Sequence, residues 1–240
     1  MIPSNFFKPF SKFIDAFVAT VNITDSTLQN CNVNGVMIQI TAASLYLMNM
    51  NLINMTTKVS TLPIIQTSLD GYFYMNNTIY TSSSAPLFNL LASSGYIGHL
   101  DLQNYSSLTF VIKFEQTTNA TLEDWTLKNV SITFGVAILF SDAYIHSIRR
   151  MDFNTASLIF TQITRTRIGL MDSMVVQNSV TGPIYIVSSQ IDMISNSEFK
   201  NNGAVFQIIG TINSIRCKAI FYHLLKSYSE LDYLQHYILR

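Results

Sequence analysis

The sequence is short of charge: 12% of its 240 residues are Asp, Glu, Lys or Arg, about half the share of an average soluble domain. Fourteen basic and fourteen acidic residues cancel, and no basic run exceeds the pair Arg149-Arg150. Nucleic-acid binding draws its affinity from phosphate neutralisation and leaves a basic stripe, so nucleic acid is excluded as a partner. Long apolar runs are also missing. The longest, such as residues 134–140, fall far short of the roughly 20 residues of a membrane-spanning helix, and no transmembrane segment is expected. A secretory leader needs an unbroken apolar centre, and Lys8, Pro9, Lys12 and Asp15 interrupt the opening stretch, so none is expected there. Cysteine is nearly absent. Cys31 and Cys217 make neither a CxxC pair nor a disulfide framework. The four histidines, His99, His146, His223 and His236, fall in neither HxH nor HExxH spacing, which removes the common zinc arrangements. No metal or cofactor is expected.

What fills the space is Ser, Thr and Asn on a background that is 48% apolar, enough for a sizeable core, and it is periodic. The stretch NSEFKNNGAVFQIIG, residues 196–210, has near-copies along most of the chain. Taking one apolar anchor per copy gives Leu28, Leu52, Ile79, Leu102, Leu127, Phe153, Val176, Phe199 and Ile220, spaced by 21 to 27 residues. Five residues before each stand Ile23, Leu47, Tyr74, Ile97, Leu122, Ile148, Met171, Ile194 and Ile215, apolar every time where composition alone predicts about half. Two residues after each stand Asn30, Asn54, Thr81, Asn104, Asn129, Thr155, Asn178, Asn201 and Tyr222, six of them Asn. Short strand-like runs such as VMIQI, LTFVIKF and AVFQII follow in nearly every unit.

A period near 24 residues, with short strands and no helical half, describes coils stacked in register, none of which buries its apolar face alone. Leucine-rich repeats need several leucines closing on Asn. An immunoglobulin-like sandwich turns every 8 to 12 residues or so without a common phase. The expected fold is therefore all-β: a right-handed parallel β-helix solenoid of about nine coils over residues 20–222. Residues 1–19 read as an amphipathic capping helix, with Phe10, Phe13, Ile14 and Phe17 at helical spacing. Residues 223–240 read as a second, with Ser227 and Glu230 at capping-box spacing. Asn at the recurring corner suits the left-handed backbone of a sharp turn. Carboxamides stacked about 4.8 Å apart would make an internal ladder of Asn30, Asn54, Asn104, Asn129, Asn178 and Asn201. Eight such layers place Cys31 and Cys217 roughly 38 Å apart, beyond disulfide reach, so two free thiols are expected.

At FKNNGAVF, residues 199–206, the chain resembles the FxxN and GGAI repeats of adhesin-like surface proteins within the pectin-lyase-like β-helix superfamily. The resemblance covers roughly residues 20–222. Its GGAI half stands here as GVMI (35–38), GVAI (135–138), GPIY (182–185) and GAVF (203–206). It implies a non-enzymatic coil stack for cell-surface structure, adhesion or carbohydrate contact, extracellular and part of a larger protein, with glycans or other surface proteins as partners. The same superfamily holds polysaccharide lyases and glycoside hydrolases, so a carbohydrate-active enzyme is the alternative. Its only carboxylate candidates are Asp101, Asp152 and Glu198, each one residue before an anchor and about 9.6 Å apart in alternate coils. The paired Asp, Gly-His-Gly and Arg-Ile-Lys signatures of pectin hydrolases are missing.

Charges in register point to cross-strand pairing: Glu123, Arg149 and Asp172 four before consecutive anchors, with Asp124 and Arg150 one further along. These are expected to form surface ion pairs that set register. Six N-x-S/T sequons occur, at Asn22, Asn54, Asn76, Asn104, Asn119 and Asn129. With Asn54, Asn104 and Asn129 assigned to an inward ladder, Asn22, Asn76 and Asn119 remain the expected glycan acceptors.

Overall fold

A computed structural model describes residues 13–59, 61–154, 159–178, 184–200, 206–213 and 215–216. They form an all-β parallel solenoid of about seven turns with no helix among them. Each coil lays down a long strand with a corner inside it and, beyond a loop, a short strand. The long strands Thr20–Gln29, Ser44–Ile53, Tyr72–Thr81, Ser94–Ser107 and Asn119–Ile132 pair in parallel with one another. The short strands Ile38–Thr41, Ile65–Ser68, Phe88–Leu91, Ile112–Glu115 and Val136–Ser141 pair likewise. Three main parallel sheets result, a first before the mid-strand corner, a second after it and a third built from the short strands; past Asn30 and its equivalents a shorter ladder pairs Asn32–Val33 with Thr56–Thr57 and residues 105–107 with 130–132.

Register follows the apolar columns read from the sequence, with one correction. Leu28, Leu52, Leu102, Leu127, Phe153, Val176 and Phe199 do stack, but the third coil contributes Tyr80 and not Ile79. Five residues earlier the same shift puts Met75, not Tyr74, between Leu47 and Ile97. Because strand side chains alternate faces, a slip of one residue inverts a whole coil, and YFYMNNTIY is apolar on both faces. What settles it is satisfaction of the phenol: Tyr80 is fully buried, its hydroxyl donating to the Ala85 carbonyl, whereas Ile79 is 41% exposed. The ninth anchor, Ile220, lies outside the described residues.

The N-terminal helix is also corrected where it is described. Ile14–Phe17 is a strand paired with Ile38–Thr41. Ile14 and Ala16 are half-buried while Asp15 and Phe17 face out, so the apolar spacing that fits a helix is taken over by a period of two. Residues 1–12 and the expected C-terminal helix, 223–240, lie outside the described residues.

Inside, side chains stack by type. Phe73, Phe88, Phe114 and Phe140 follow one another at 5.0–5.6 Å between ring centroids, and the indole N–H of fully buried Trp125 donates to the Ile97 carbonyl at 2.9 Å. The abundant Ser and Thr have a backbone task. Just past the corners, Ser83, Thr166, Ser189 and Ser197 are buried, and their hydroxyls accept from the N–H groups of Met55, Ala143, Thr166 and Met174 at 2.9–3.2 Å. Each also donates to the carbonyl two residues back. Inward hydroxyls thus pair groups that the turning strands leave behind, as burial requires.

The corners lie in the left-handed region, in three columns, each a single residue except where Leu69 (φ 57) precedes Asp70. One holds Asn30, Asn54, Ser82, Asn104, Asn129 and Asn178. A second holds Asp25, Asn49, Asn77, His99, Asp124, Arg150, Ser173 and Asn196. A third holds Val18, Ala42, Asp70, Ala92, Gln116, Asp142, Arg165 and Ser188. No described glycine has positive φ.

Candidate functional site

The ladder asparagines turn the chain as expected, but they point the other way. Asn30, Asn54, Asn104, Asn129 and Asn178 are all exposed. Rungs do form on the outside: Asn54 Nδ2 donates to Asn30 Oδ1 at 2.8 Å, Asn129 to Asn104 at 3.1 Å and Asn178 to Asn154 at 2.9 Å. The left-handed conformation swings the corner side chain out of the coil, and the following residue is the one directed inward. Asn201 lies outside the described residues. Asn54, Asn104 and Asn129 are therefore exposed sequons, not inward ones. Of the other sequons, Asn22 and Asn119 are exposed and Asn76 is half-buried, its Oδ1 2.9 Å from His99 Nδ1.

The acidic candidates keep their predicted register. Asp101, Thr126, Asp152, Val175 and Glu198 follow one another along the second sheet. Both Asp101 oxygens accept from Gln103 Nε2 at 2.8–2.9 Å, while Asp152 Oδ1 is buried without a hydrogen bond. Thr126 and Val175 separate the three, so no two of these carboxylates occupy adjacent coils. Among the described residues, no three of His, Cys, Asp and Glu gather so as to hold a metal ion. Cys31 is a free thiol raised above its ordinary pKa by burial; Cys217 lies outside the described residues.

The first sheet carries two features side by side on its outer face. One is a row of tyrosines, which the sequence reading did not single out. Register aligns Asn22, Tyr46, Tyr74, Tyr96 and Thr121, and the rings follow at 5.8 and 5.4 Å, Tyr74 and Tyr96 being stacked. Tyr72, two residues toward the third corner, joins Tyr46 at 5.9 Å. The signal was available as YLM, YFYM and GYIG at repeat spacing, but it was absorbed into the apolar anchor pattern. Tyr96 lies across Gly98, where an added Cβ would come within 2.6–2.9 Å of the ring and its hydroxyl. Burial first, and then the nearby Glu123 charge, raises the Tyr96 hydroxyl above its usual range, which keeps it a proton donor to Glu123 Oε2 at 3.4 Å.

That contact joins the row to the second feature, the expected ion-pair set. Glu123, Arg149 and Asp172 are register partners. Arg150 reaches Asp124 through Nε and Nη2 at 2.5 and 2.9 Å and Glu123 at 3.3 Å; Arg149 approaches Glu123 at 3.8 Å. His99 Nε2 stands 3.5 Å from Asp124. The Arg150 hydrogen bonds hold Asp124 below the usual carboxylate range, and Ser195, then Asn196, Ser173 and Arg149, do the same for Asp172. Two further pairs lie away from the anchors: Arg165 grips Asp142, its neighbour in the same corner column, at 2.6 and 2.8 Å, and Arg167 grips Asp192, two residues beyond its register partner Gln190, at 2.8 and 3.0 Å.

Chemically, the surface offers flat rings with a regular rise, hydroxyl donors, and charges already neutralised by one another. Such a surface can stack and hydrogen-bond a ligand. No family model matches the chain, and no curated protein is similar to it in sequence.

Proposed function

We propose that the solenoid is a non-enzymatic, extracellular binding module that contacts carbohydrate through the outer face of its first sheet, as a coil stack within a larger surface protein. The observation that carries this reading is the row Tyr46, Tyr74 and Tyr96. Pyranose rings present C–H faces that pack on aromatic planes and hydroxyls that pair with polar rims, and tyrosine supplies an apolar ring with a polar tip. The spacing of the rings is set by the coil rise, so a row of this kind offers the same contact once per coil. Ion pairing within the neighbouring charges supports recognition without a free catalytic acid or base. Supporting it too is the separation of Asp101, Asp152 and Glu198 by uncharged coils.

The experiment is calorimetric titration of a panel of soluble glycans against the native chain and Tyr74→Ala. We expect binding by the native chain and a loss of about tenfold or more on removing the central ring, the size of a modest hot spot. Equal affinity of the two proteins for every glycan, or no binding to any, overturns the reading.

A further inference from the structure

We propose that the tyrosine row ends in an ammonium site, so that the module prefers glycans containing deacetylated amino sugars. This rests on the carbohydrate reading above and names its ligand class. At the third corner of the opening coils lies a groove of about 380 Å³, with Ala42 and Ala43 along it, Thr20 and Ser44 supplying hydroxyls, and Asp70 and Tyr72 at one side. Tyr72 is the ring that meets Tyr46 at 5.9 Å, so groove and row are continuous.

Asp70 differs from the other carboxylates of these coils. It is exposed at a left-handed corner (φ 56), anchored by its own N–H to the Ala92 carbonyl at 2.6 Å. Its carboxylate has no hydrogen bond or ion pair, among the described residues, to neutralise it. Asp25 already accepts from Asn49 at 2.7 Å and Asp101 from Gln103. Over residues 13–107 the charged side chains are Asp15, Asp25, Asp70 and Asp101 against Lys58 alone, besides His99, and Lys58 sits in the loop leading to the third sheet. The described charge of the opening coils, where Asp70 lies, is therefore mostly acidic, which disfavours uronates there. A protonated amine entering the groove would make a charge-assisted hydrogen bond to Asp70 beside the Tyr72 ring, whose face favours cations. Acetylation removes that charge.

The test compares tetrasaccharides of glucosamine, N-acetylglucosamine and glucose, titrated at mildly acidic pH against the native chain, Asp70→Asn and Tyr74→Ala. Asn tolerates the left-handed corner, so Asp70→Asn keeps the fold, which circular dichroism verifies. We expect the glucosamine oligomer to bind about tenfold tighter than the other two, as one charge-assisted bond provides. Asp70→Asn should erase the preference while leaving glucose-oligomer binding intact, and Tyr74→Ala should weaken all three. If the native chain binds all three equally, or Asp70→Asn keeps the preference, the ammonium site is overturned and the carbohydrate reading stands. Failure of all three to bind overturns the ammonium site, and failure of the wider glycan panel as well overturns both.

Discussion

At the scale of the residue, the fold depends on a conformation that most side chains resist. Twenty-three non-glycine residues have positive φ, a region that costs an ordinary L-residue roughly 1–2 kcal/mol and that Asn and Asp enter most easily. The sequence meets the demand best at the first corner column, where Asn stands at five of the six positive-φ positions named above. There the amide does two things, easing the turn and pairing with the next coil, and substitution separates them. Asn129→Gly keeps the turn and loses the 3.1 Å rung to Asn104. Asn129→Val loses both and adds a β-branch where φ is 54. Denaturant unfolding should place the glycine variant within about 1 kcal/mol of the native chain and the valine variant about 2 kcal/mol or more below it; equal losses would count against the corner account. A different constraint acts at Gly135, whose φ is not positive. A Cβ there would sit 1.8 Å from the Thr109 carbonyl oxygen of the coil above. Backbone cannot yield as a side chain can, so Gly135→Ala should lose about 3 kcal/mol or more in the same assay.

At the scale of the element, sheets are pinned by pairs that join one coil to the next, and the charged ones make stability depend on acid. Asp142, held by two hydrogen bonds from Arg165 and one from Ser141, titrates at about 2 in the folded chain against a reference of 3.8. Asp124, Asp172 and Asp192 are lowered in the same sense. A depressed carboxylate stabilises the fold above its unfolded pKa, and that contribution drains away as pH falls through the folded value. Melting temperature should therefore decline as pH drops from about 4 toward 2, a window set by Asp142. Asp142→Asn should start lower and decline less steeply, and parallel curves for the two proteins would remove this pair from the account. Much of this level could be read beforehand. The Glu123, Arg149 and Asp172 column was visible because its members share one offset from the anchor. The Arg165 and Arg167 pairs were not: Asp142 and Arg165 share an offset too, but it lies across a corner from the anchor, and Arg167 reaches diagonally past its partner Gln190 to Asp192. Where both faces of a strand are apolar, as around Tyr74 and Ile79, periodicity of two has no preferred phase. The tyrosine row was hidden for that reason. Whether the corner asparagines point in or out was beyond the pattern as well, because it depends on backbone handedness at one residue.

At the scale of the whole molecule, each strand bonds only to the coil above and the coil below, so stability is close to a sum over neighbouring layers. The layers are unequal. In the first described coil Ile14, Ala16, Val21, Ile23 and Leu28 are only partly buried, whereas the corresponding positions of the middle coils, such as Ile97, Leu102, Leu122 and Leu127, are 0–1% exposed. Apolar burial is worth roughly 25 cal/mol per Å², so the opening layer holds its strands less firmly than the middle. A native reporter sits at the right place to see this. Trp125, the single tryptophan, is buried in a middle coil, flanked on both sides by paired strands, with its N–H bonded to the Ile97 carbonyl. In urea, strand content followed by circular dichroism should begin to fall before the tryptophan emission shifts. Hydrogen exchange should protect the amides of Asn119–Ile132 longer than those of Thr20–Gln29. Superimposable transitions and uniform protection would mean that the coils unfold as one cooperative block. The coupling between layers would then exceed the difference in burial between the first described coil and the fifth.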